Sequence, residues 1–121
     1  KNLEKSTLII FTSDNGATHA HAGDPNLHVG GADIKFFNST ADLKGYKGSV
    51  YEGGIRVPTI VSWEGMVPAG ISNAQPSYFA DWFPTLCAAI KSETPSGLDG
   101  ENIWNSICEN KMYARSMPML W

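Results

Sequence analysis

The sequence is short of charge, of cysteine and of long apolar segments, and each shortage excludes a class of protein. Its 121 residues carry 9 Lys and Arg against 12 Asp and Glu, a net charge of -3. A chain with this balance has no electrostatic attraction to nucleic acid or to an anionic membrane. No apolar segment approaches the roughly 20 residues that a membrane span requires. With 42% hydrophobic and 17% charged residues, the composition predicts an ordinary globular domain.

The two cysteines, Cys87 and Cys108, show none of the short spacings that are typical of metal sites. Cys87 lies within an apolar helical pattern and is interpreted as a small core residue. The two cysteines therefore do not indicate whether the protein functions in an oxidising or a reducing compartment. The chain begins at Lys1 without a methionine and ends at Trp121 inside a strand-like segment. These two ends predict an excised part of a longer protein.

The segment from residue 7 to residue 13 is the strongest predicted strand. Its apolar, β-branched run has no polar alternation, which is typical of a strand covered on both faces in a parallel sheet. Asp14, Asn15 and Gly16 follow where this strand stops. Ligands of α/β proteins bind at the carboxyl ends of strands, and a carboxylate beside a carboxamide suits calcium or magnesium. The alternative is an Asx turn that merely closes the strand.

A long loop from residue 15 to residue 47 contains all three histidines of the chain. Loops of this length in compact domains are usually functional. His19 and His21, together with Asp14, could bind zinc, although no further ligand lies at a fixed spacing. Hydrogen bonding to a polar substrate and plain solvent exposure are the other two interpretations.

A glycine-rich stretch from residue 45 to residue 58 follows this loop. Its glycines allow the backbone to approach another chain or a ligand closely, and Lys47 could present an ammonium group to an anion. The alternative for Lys47 is an ordinary solvated charge. Glu52 and Arg56 are interpreted as an ion pair that orients the loop.

The remaining pattern predicts an α/β fold. A second short buried strand is predicted over residues 58–63, and a helix over 81–90 with Asp81 as its N-cap and Pro84 in its first turn. A short helix over 101–110 and a strand starting at Met117 complete the prediction.

Several segments, taken together and in order, resemble the second half of the catalytic domain of the formylglycine-dependent sulfatases, within the alkaline phosphatase superfamily. The resemblance implies a partial alkaline-phosphatase-like sandwich, a mixed sheet with flanking helices that ends at the start of the small C-terminal sheet. Residues 1–116 would be the C-terminal portion of the catalytic domain, and 117–121 the first strand of the C-terminal subdomain. The segments are FTSDNG (11–16), HVGGAD (28–33), KGYKGSVYEGGIRVP (44–58), IVSW (60–63), DWFPTL (81–86), LDG (98–100) and MPMLW (117–121).

The resemblance also implies roles for individual residues. Asp14 and Asn15 match residues that coordinate an active-site Ca²⁺, and Lys47 matches a catalytic lysine that contacts the sulfate. His28 matches a histidine directed at the substrate. The parent protein is thereby expected to be a hydrolase that removes sulfate from a sugar or aryl sulfate. A periplasmic, extracellular or lysosomal location is implied as well.

The departure from the family pattern concerns the nucleophile. The family uses a Cys/Ser-x-Pro/Ala-x-Arg segment whose first residue becomes formylglycine, and this sequence contains no such segment. The chain alone is therefore expected to be inactive and to need the rest of the parent chain. Two alternatives stay open: a phosphomonoesterase or phosphonate hydrolase of the same superfamily, and a binding domain that keeps the fold without the chemistry.

Overall fold

A computed structural model describes residues 3–18 and 34–120. Contacts divide the chain into two compact units, Ile9–Val61 and Lys1–Leu8 with Ser62–Trp121. No helix in the described ranges is both long and apolar enough to cross a bilayer. The regular elements, after a 3-10 turn at Glu4–Ser6, are β1 (Ile9–Thr12), α1 (Ile34–Phe37), α2 (Glu52–Ile55), β2 (Thr59–Ser62), α3 (Phe79–Ala89) and α4 (Trp104–Glu109).

Strands β1 and β2 form a two-stranded sheet. The hydroxyl groups of Thr12 and Thr59 lie 2.9 Å apart, so the end of β1 faces the start of β2. Before β1, the carbonyl of Lys5 accepts a hydrogen bond from the indole N–H of Trp63, which follows β2. The two strands therefore run antiparallel, and the expectation of a parallel partner for the first strand is wrong. Apolar content does not reveal strand direction, which the connection between the strands decides.

The expectation that the first strand is covered on both faces is also wrong for the described residues. Ile9 is 57% exposed and Phe11 is 67% exposed. Within the unit Ile9–Val61, neither of the described helices, α1 and α2, packs against the β1–β2 sheet. The α/β composition of the chain is confirmed, whereas a sandwich with flanking helices is not seen in these ranges.

Helix α3 starts two residues before the predicted position, because Asp81 is not its N-cap. Tyr78 is the N-cap, and the carboxylate of Asp81 accepts a hydrogen bond of 3.0 Å from its backbone N–H. Asp81 thus occupies the third helical position, where an acidic side chain can satisfy the N-cap N–H and interact favourably with the helix dipole.

Pro84 lies in the interior of α3 and not in its first turn. A proline there cannot donate the hydrogen bond to the carbonyl four residues earlier, which belongs to Ala80. The backbone of Gly100 packs directly against this carbonyl, so closely that a Cβ atom at residue 100 would overlap it. The helix tolerates Pro84 at a position where another segment of the chain covers the interrupted turn.

Buried polar side chains form much of the core around α3 and α4. Cys87 is buried, as the sequence predicted, but Thr85 and Ser106 are almost completely inaccessible as well. The Thr85 hydroxyl accepts a hydrogen bond from the Ile103 N–H, and the Ser106 hydroxyl donates to the Lys111 carbonyl. Each buried hydroxyl has a partner, which removes the free-energy cost of burying it. Helix α4 begins at Trp104, later than predicted, and the Trp104 N–H donates a hydrogen bond to the side-chain oxygen of Asn102.

A buried ion pair joins α3 to the C-terminal segment. The guanidinium of Arg115 donates to both carboxylate oxygens of Asp81, at 2.7 and 2.9 Å. Asp81 is completely inaccessible, and the side chain of Arg115 is only 12% exposed. The hydrogen bond to Asp81 raises the pKa of Arg115 above its ordinary value.

Glu101 fixes the chain just after Arg115. Its carboxylate accepts hydrogen bonds from the backbone N–H groups of Ser116 and Met117 and from the Ser116 hydroxyl. Met117–Leu120 has no regular secondary structure, and Trp121 lies outside the described ranges. The predicted strand starting at Met117 is thus not seen in residues 117–120 and stays a prediction for the longer protein.

We predict that replacing Arg115 with methionine destabilises the protein by about 3 kcal/mol or more, because the Asp81 carboxylate stays buried without its partner. Urea unfolding of the protein measures this change. Arg56→Met is the matched control, since its ion pair with Glu52 is 68% and 61% exposed. That variant is expected to change the stability by no more than about 0.5 kcal/mol. Equal effects of the two substitutions would contradict the prediction.

The hydrogen bond from the Ser116 hydroxyl is the largest cause that lowers the pKa of Glu101 below its ordinary value of 4.5. A carboxyl group with a lowered folded pKa stabilises the protein above the unfolded pKa and loses this effect as the pH falls through the folded pKa. We therefore expect the stability difference between the wild-type protein and Glu101→Gln to be full above pH 4.5 and to shrink below it. Unfolding titrations from about pH 7 to about pH 3 test this, and a difference independent of pH would refute it.

Candidate functional site

Two backbone hydrogen bonds hold the turn after β1 against the glycine-rich stretch. The N–H of Gly16 donates to the Gly54 carbonyl at 2.8 Å, and the N–H of Lys47 donates to the Ala17 carbonyl at 2.9 Å. Within the stretch itself, the Gly53 N–H donates to the Lys44 carbonyl at 2.8 Å. Lys47 is thereby attached next to the turn that follows β1, although the two segments lie far apart in the sequence.

Glycine is required where these segments meet. A Cβ atom at Gly16 would lie less than 3.0 Å from the carbonyl oxygen of Gly53, and one at Gly53 would clash similarly with Gly45. Both neighbours are backbone atoms, which cannot rotate away as a side chain can. The sequence analysis anticipated a close backbone approach in this stretch, and the structure shows that its partner is the Asp-Asn-Gly turn.

Asp14, Asn15 and Lys47 all line one cleft of 690 Å³ within the unit Ile9–Val61. The structure therefore brings together three of the four residues to which the sequence assigned a role. The fourth, His28, lies outside the described residues, as do His19 and His21 of the alternative zinc site. The other residues that line the cleft are Ser13, Gly16, Ala17, Thr18, Ser39, Thr40, Ala41, Leu43, Gly53, Arg56, Val57 and Pro58.

The turn after β1 is closed without the side chains of Asp14 and Asn15. The hydroxyl of Ser13 donates a hydrogen bond of 2.9 Å to the Asn15 carbonyl, which bridges the turn. Asp14 is exposed and Asn15 is half-buried, and no hydrogen bond joins either side chain to another described residue. A simple Asx turn would have used one of these side chains to cap the backbone. Their oxygens instead remain available to the cleft.

The carboxylate and the carboxamide suit a hard cation such as Ca²⁺, which prefers six to eight oxygen ligands. Two side chains fit as part of such a site. Among residues 3–18 and 34–120, no cluster of three His, Cys, Asp or Glu side chains could hold a metal by itself. Further oxygen ligands would have to come from outside these ranges or from backbone groups.

The two lysines of the glycine-rich stretch differ in their surroundings. The ammonium of Lys44 lies 3.9 Å from the centre of the Tyr51 ring, a cation–π contact. Lys47 is exposed at the cleft, and its side chain makes no ion pair or hydrogen bond with the described residues. Of the two cations, Lys47 is the one available to an anionic ligand.

The predicted ion pair between Glu52 and Arg56 is confirmed, at 3.1 Å. The short helix α2 places the two residues one turn apart, a spacing at which oppositely charged side chains meet. Arg56 also lines the cleft, which the sequence analysis missed because it gave this residue a purely structural role. The described part of the cleft therefore holds two cations, Lys47 and Arg56, and one carboxylate, Asp14.

Comparisons with known proteins give a consistent result. The family model described as Sulfatase matches residues 1–92. Arylsulfatase D of Homo sapiens is 38% identical over 104 residues, covering 84% of this chain and 16% of that protein. Steryl-sulfatase of Mus musculus is 34% identical, over 84% of this chain and 15% of its own length.

A solved structure is also similar, the crystal structure of Ps i-CgsB in complex with k-i-k-neocarrahexaose. Its TM-score is 0.70 at 34% identity, covering 92% of this chain and 22% of that one. The chain thus spans about a sixth to a fifth of the length of these proteins.

We predict that Gly16→Ala destabilises the protein by about 3 kcal/mol, because the added methyl group meets the fixed carbonyl of Gly53. Gly65→Ala is the control: nothing lies within 4 Å of the added atom, but φ is +81°. The control variant measures only the free-energy cost of placing alanine in a left-handed backbone conformation, about 1 kcal/mol. Denaturant unfolding compares the two variants, and a Gly16→Ala protein as stable as the control would argue against the tight contact.

Proposed function

The chain belongs to the sulfatase family, and from this premise we propose that the whole protein hydrolyses a sulfate monoester, with this chain forming part of its active site. The observation that carries the proposal is the shared cleft of Asp14, Asn15 and Lys47. Hydrogen bonds between backbone groups hold the backbone of Lys47 beside the turn that carries Asp14 and Asn15. Charges placed near the reacting group can stabilise a transition state.

In this proposal Lys47 binds a sulfate oxygen through its ammonium group. Negative charge grows on the ester oxygen as the S–O bond breaks, and a cation nearby lowers the free energy of that state. Arg56 lines the same cleft and adds a second positive charge that attracts the anionic substrate. Its ion pair with Glu52 is exposed and costs little to rearrange.

Asp14 and Asn15 would hold a Ca²⁺ ion in this proposal. When bound, such an ion supplies positive charge to the sulfate oxygens as a Lewis acid. The turn that carries the two side chains is closed by the hydrogen bond from the Ser13 hydroxyl to the Asn15 carbonyl. This role is supported by the hard-oxygen chemistry of the pair and by its position in the cleft.

The attacking nucleophile is assigned to a part of the protein outside this chain. The sequence contains no Cys/Ser-x-Pro/Ala-x-Arg segment, from which the family makes formylglycine. The relatives are several times longer than the chain, which leaves room for that segment elsewhere. A periplasmic, extracellular or lysosomal location is proposed on the same family basis.

The alternatives of a phosphate ester hydrolase and of a non-catalytic binding domain are not favoured, because the relatives found are named as sulfatases. One assay separates the three functions. The full-length protein is given nitrophenyl sulfate and nitrophenyl phosphate, with and without a metal chelator. Preferential cleavage of the sulfate supports the proposal; preference for the phosphate, or no turnover of either, would overturn it.

We predict that Lys47→Ala and Asp14→Ala each lower kcat/KM for nitrophenyl sulfate by at least about a hundredfold, the scale of losing one electrostatic stabiliser. Lys5→Ala serves as a matched control, because Lys5 is an exposed lysine outside the cleft. A rate close to that of the wild-type protein for both cleft variants would refute the assignment.

A second readout separates the roles of the two residues. Added Ca²⁺ is expected to raise the melting temperature of the wild-type protein and of Lys47→Ala, but not that of Asp14→Ala, since a ligand stabilises only a protein that binds it. A calcium-induced shift that persists in Asp14→Ala would exclude this residue as a metal ligand while leaving the role of Lys47 intact.

A further inference from the structure

A hydroxyl-bearing turn forms a part of the cleft that has no role so far. It follows α1 and comprises residues 38–43, of which Ser39 and Thr40 line the cleft. In the sequence Asn38, Ser39 and Thr40 form a glycosylation acceptor triplet, a short motif that often occurs by chance and gives no reason to expect a substrate contact. The position of Ser39 and Thr40 becomes informative only because the fold brings them to the same cleft as Asp14 and Lys47.

The turn has a defined backbone. The Ala41 N–H donates to the Asn38 carbonyl at 2.9 Å, and the Leu43 N–H donates to the Thr40 carbonyl at 3.0 Å. Asn38 and Ala41 both have a φ of 48°. A left-handed conformation costs free energy in alanine and persists where the surrounding structure imposes it. The two hydroxyl groups are therefore presented from a constrained turn.

The side chains of Ser39 and Thr40 make no hydrogen bond to another described residue. Each hydroxyl can donate one hydrogen bond and accept others, so both can serve a ligand. Among the described residues that line the cleft, none is aromatic, and Leu43 and Val57 are the larger apolar ones. Sites for flat apolar ligands are usually lined by aromatic side chains, which makes this part of the cleft better suited to a polar molecule.

We propose that Ser39 and Thr40 are specificity-determining residues, which bind a hydroxyl group on the alcohol part of the sulfate ester. The inference rests on the proposed sulfatase function and deepens it: the alcohol is a polyhydroxylated one, a carbohydrate, and not an apolar one. The hydroxyl groups of Ser39 and Thr40 can each donate and accept, so the pair can hydrogen-bond a substrate hydroxyl, and an analogue that lacks this hydroxyl forms fewer hydrogen bonds in the cleft.

The test compares two substrates that differ by one hydroxyl group, 4-nitrocatechol sulfate and 4-nitrophenyl sulfate. The measured quantity is the preference, the ratio of the two kcat/KM values, in the full-length protein. The preference of each variant is divided by the preference of the wild-type protein. This division cancels the difference in intrinsic reactivity between the two esters. The Ser39→Ala/Thr40→Val double variant is expected to lower the preference at least about fivefold, the scale of one or two lost hydrogen bonds.

Control variants separate this role from a general effect of substitution. Thr40→Ser keeps the hydroxyl group and is expected to retain most of the wild-type preference. The Thr94→Val/Ser96→Ala double variant removes the same two hydroxyl groups from an exposed segment outside the cleft, and its preference should equal that of the wild-type protein. Thermal unfolding of every variant verifies that it is folded at the assay temperature.

The possible outcomes distinguish the inference from the function on which it rests. A preference unchanged in Ser39→Ala/Thr40→Val overturns the inference alone. Turnover by the wild-type protein of neither aryl sulfate, and of no sulfated monosaccharide either, overturns the proposed function and the inference together. A preference that is lost in the double variant and kept in Thr40→Ser supports both.

Discussion

The candidate site depends on the close approach of two backbones at Gly16 and Gly53. No side chain lies between them, so the distance between the end of β1 and the glycine-rich stretch is set by backbone atoms alone. The hydrogen bonds of Gly16 and Lys47 then fix the register of one segment against the other. Contacts of this kind tolerate little variation, because backbone atoms cannot repack as side chains do. The positions of Asp14, Asn15 and Lys47 follow from this single constraint.

The charges in the cleft are arranged for a small anion that carries a polar group. Lys47 has no partner among the described residues, whereas the neighbouring Lys44 is held over Tyr51. Arg56 is paired with Glu52, but at the surface, where water weakens the pair. The hard oxygens of Asp14 and Asn15 complement these cations, because a metal ion held there would increase the positive charge available to a sulfate group.

The sequence singles out Asp14 and Asn15 in FTSDNG and Lys47 in KGYKGSV, because hard-oxygen ligands and close glycines leave a recognisable pattern. The structure places these three residues at one cleft, and their roles stay predictions. The direction and the burial of β1 were predicted wrongly. An apolar sequence shows that a strand can be buried, but it does not show which element would bury it. Ser39 and Thr40 could not be predicted, because a hydroxyl group in a loop carries no signal until the fold places it. The interior position of Pro84 in α3 was not predicted for a similar reason. The residue that covers the interrupted helical turn, Gly100, lies sixteen residues further along the chain.

The environment of Asp81 has a consequence for how the unit that contains α3 and α4 assembles. Its carboxylate accepts hydrogen bonds from three separate places in the chain: the Tyr78 N–H, the Glu101 N–H and the Arg115 guanidinium. If any one of these segments is absent, a buried negative charge loses part of its solvation, so partly assembled forms are unstable. One buried carboxylate thereby couples the three segments energetically, since each of them contributes to the solvation of the same charge in the folded unit.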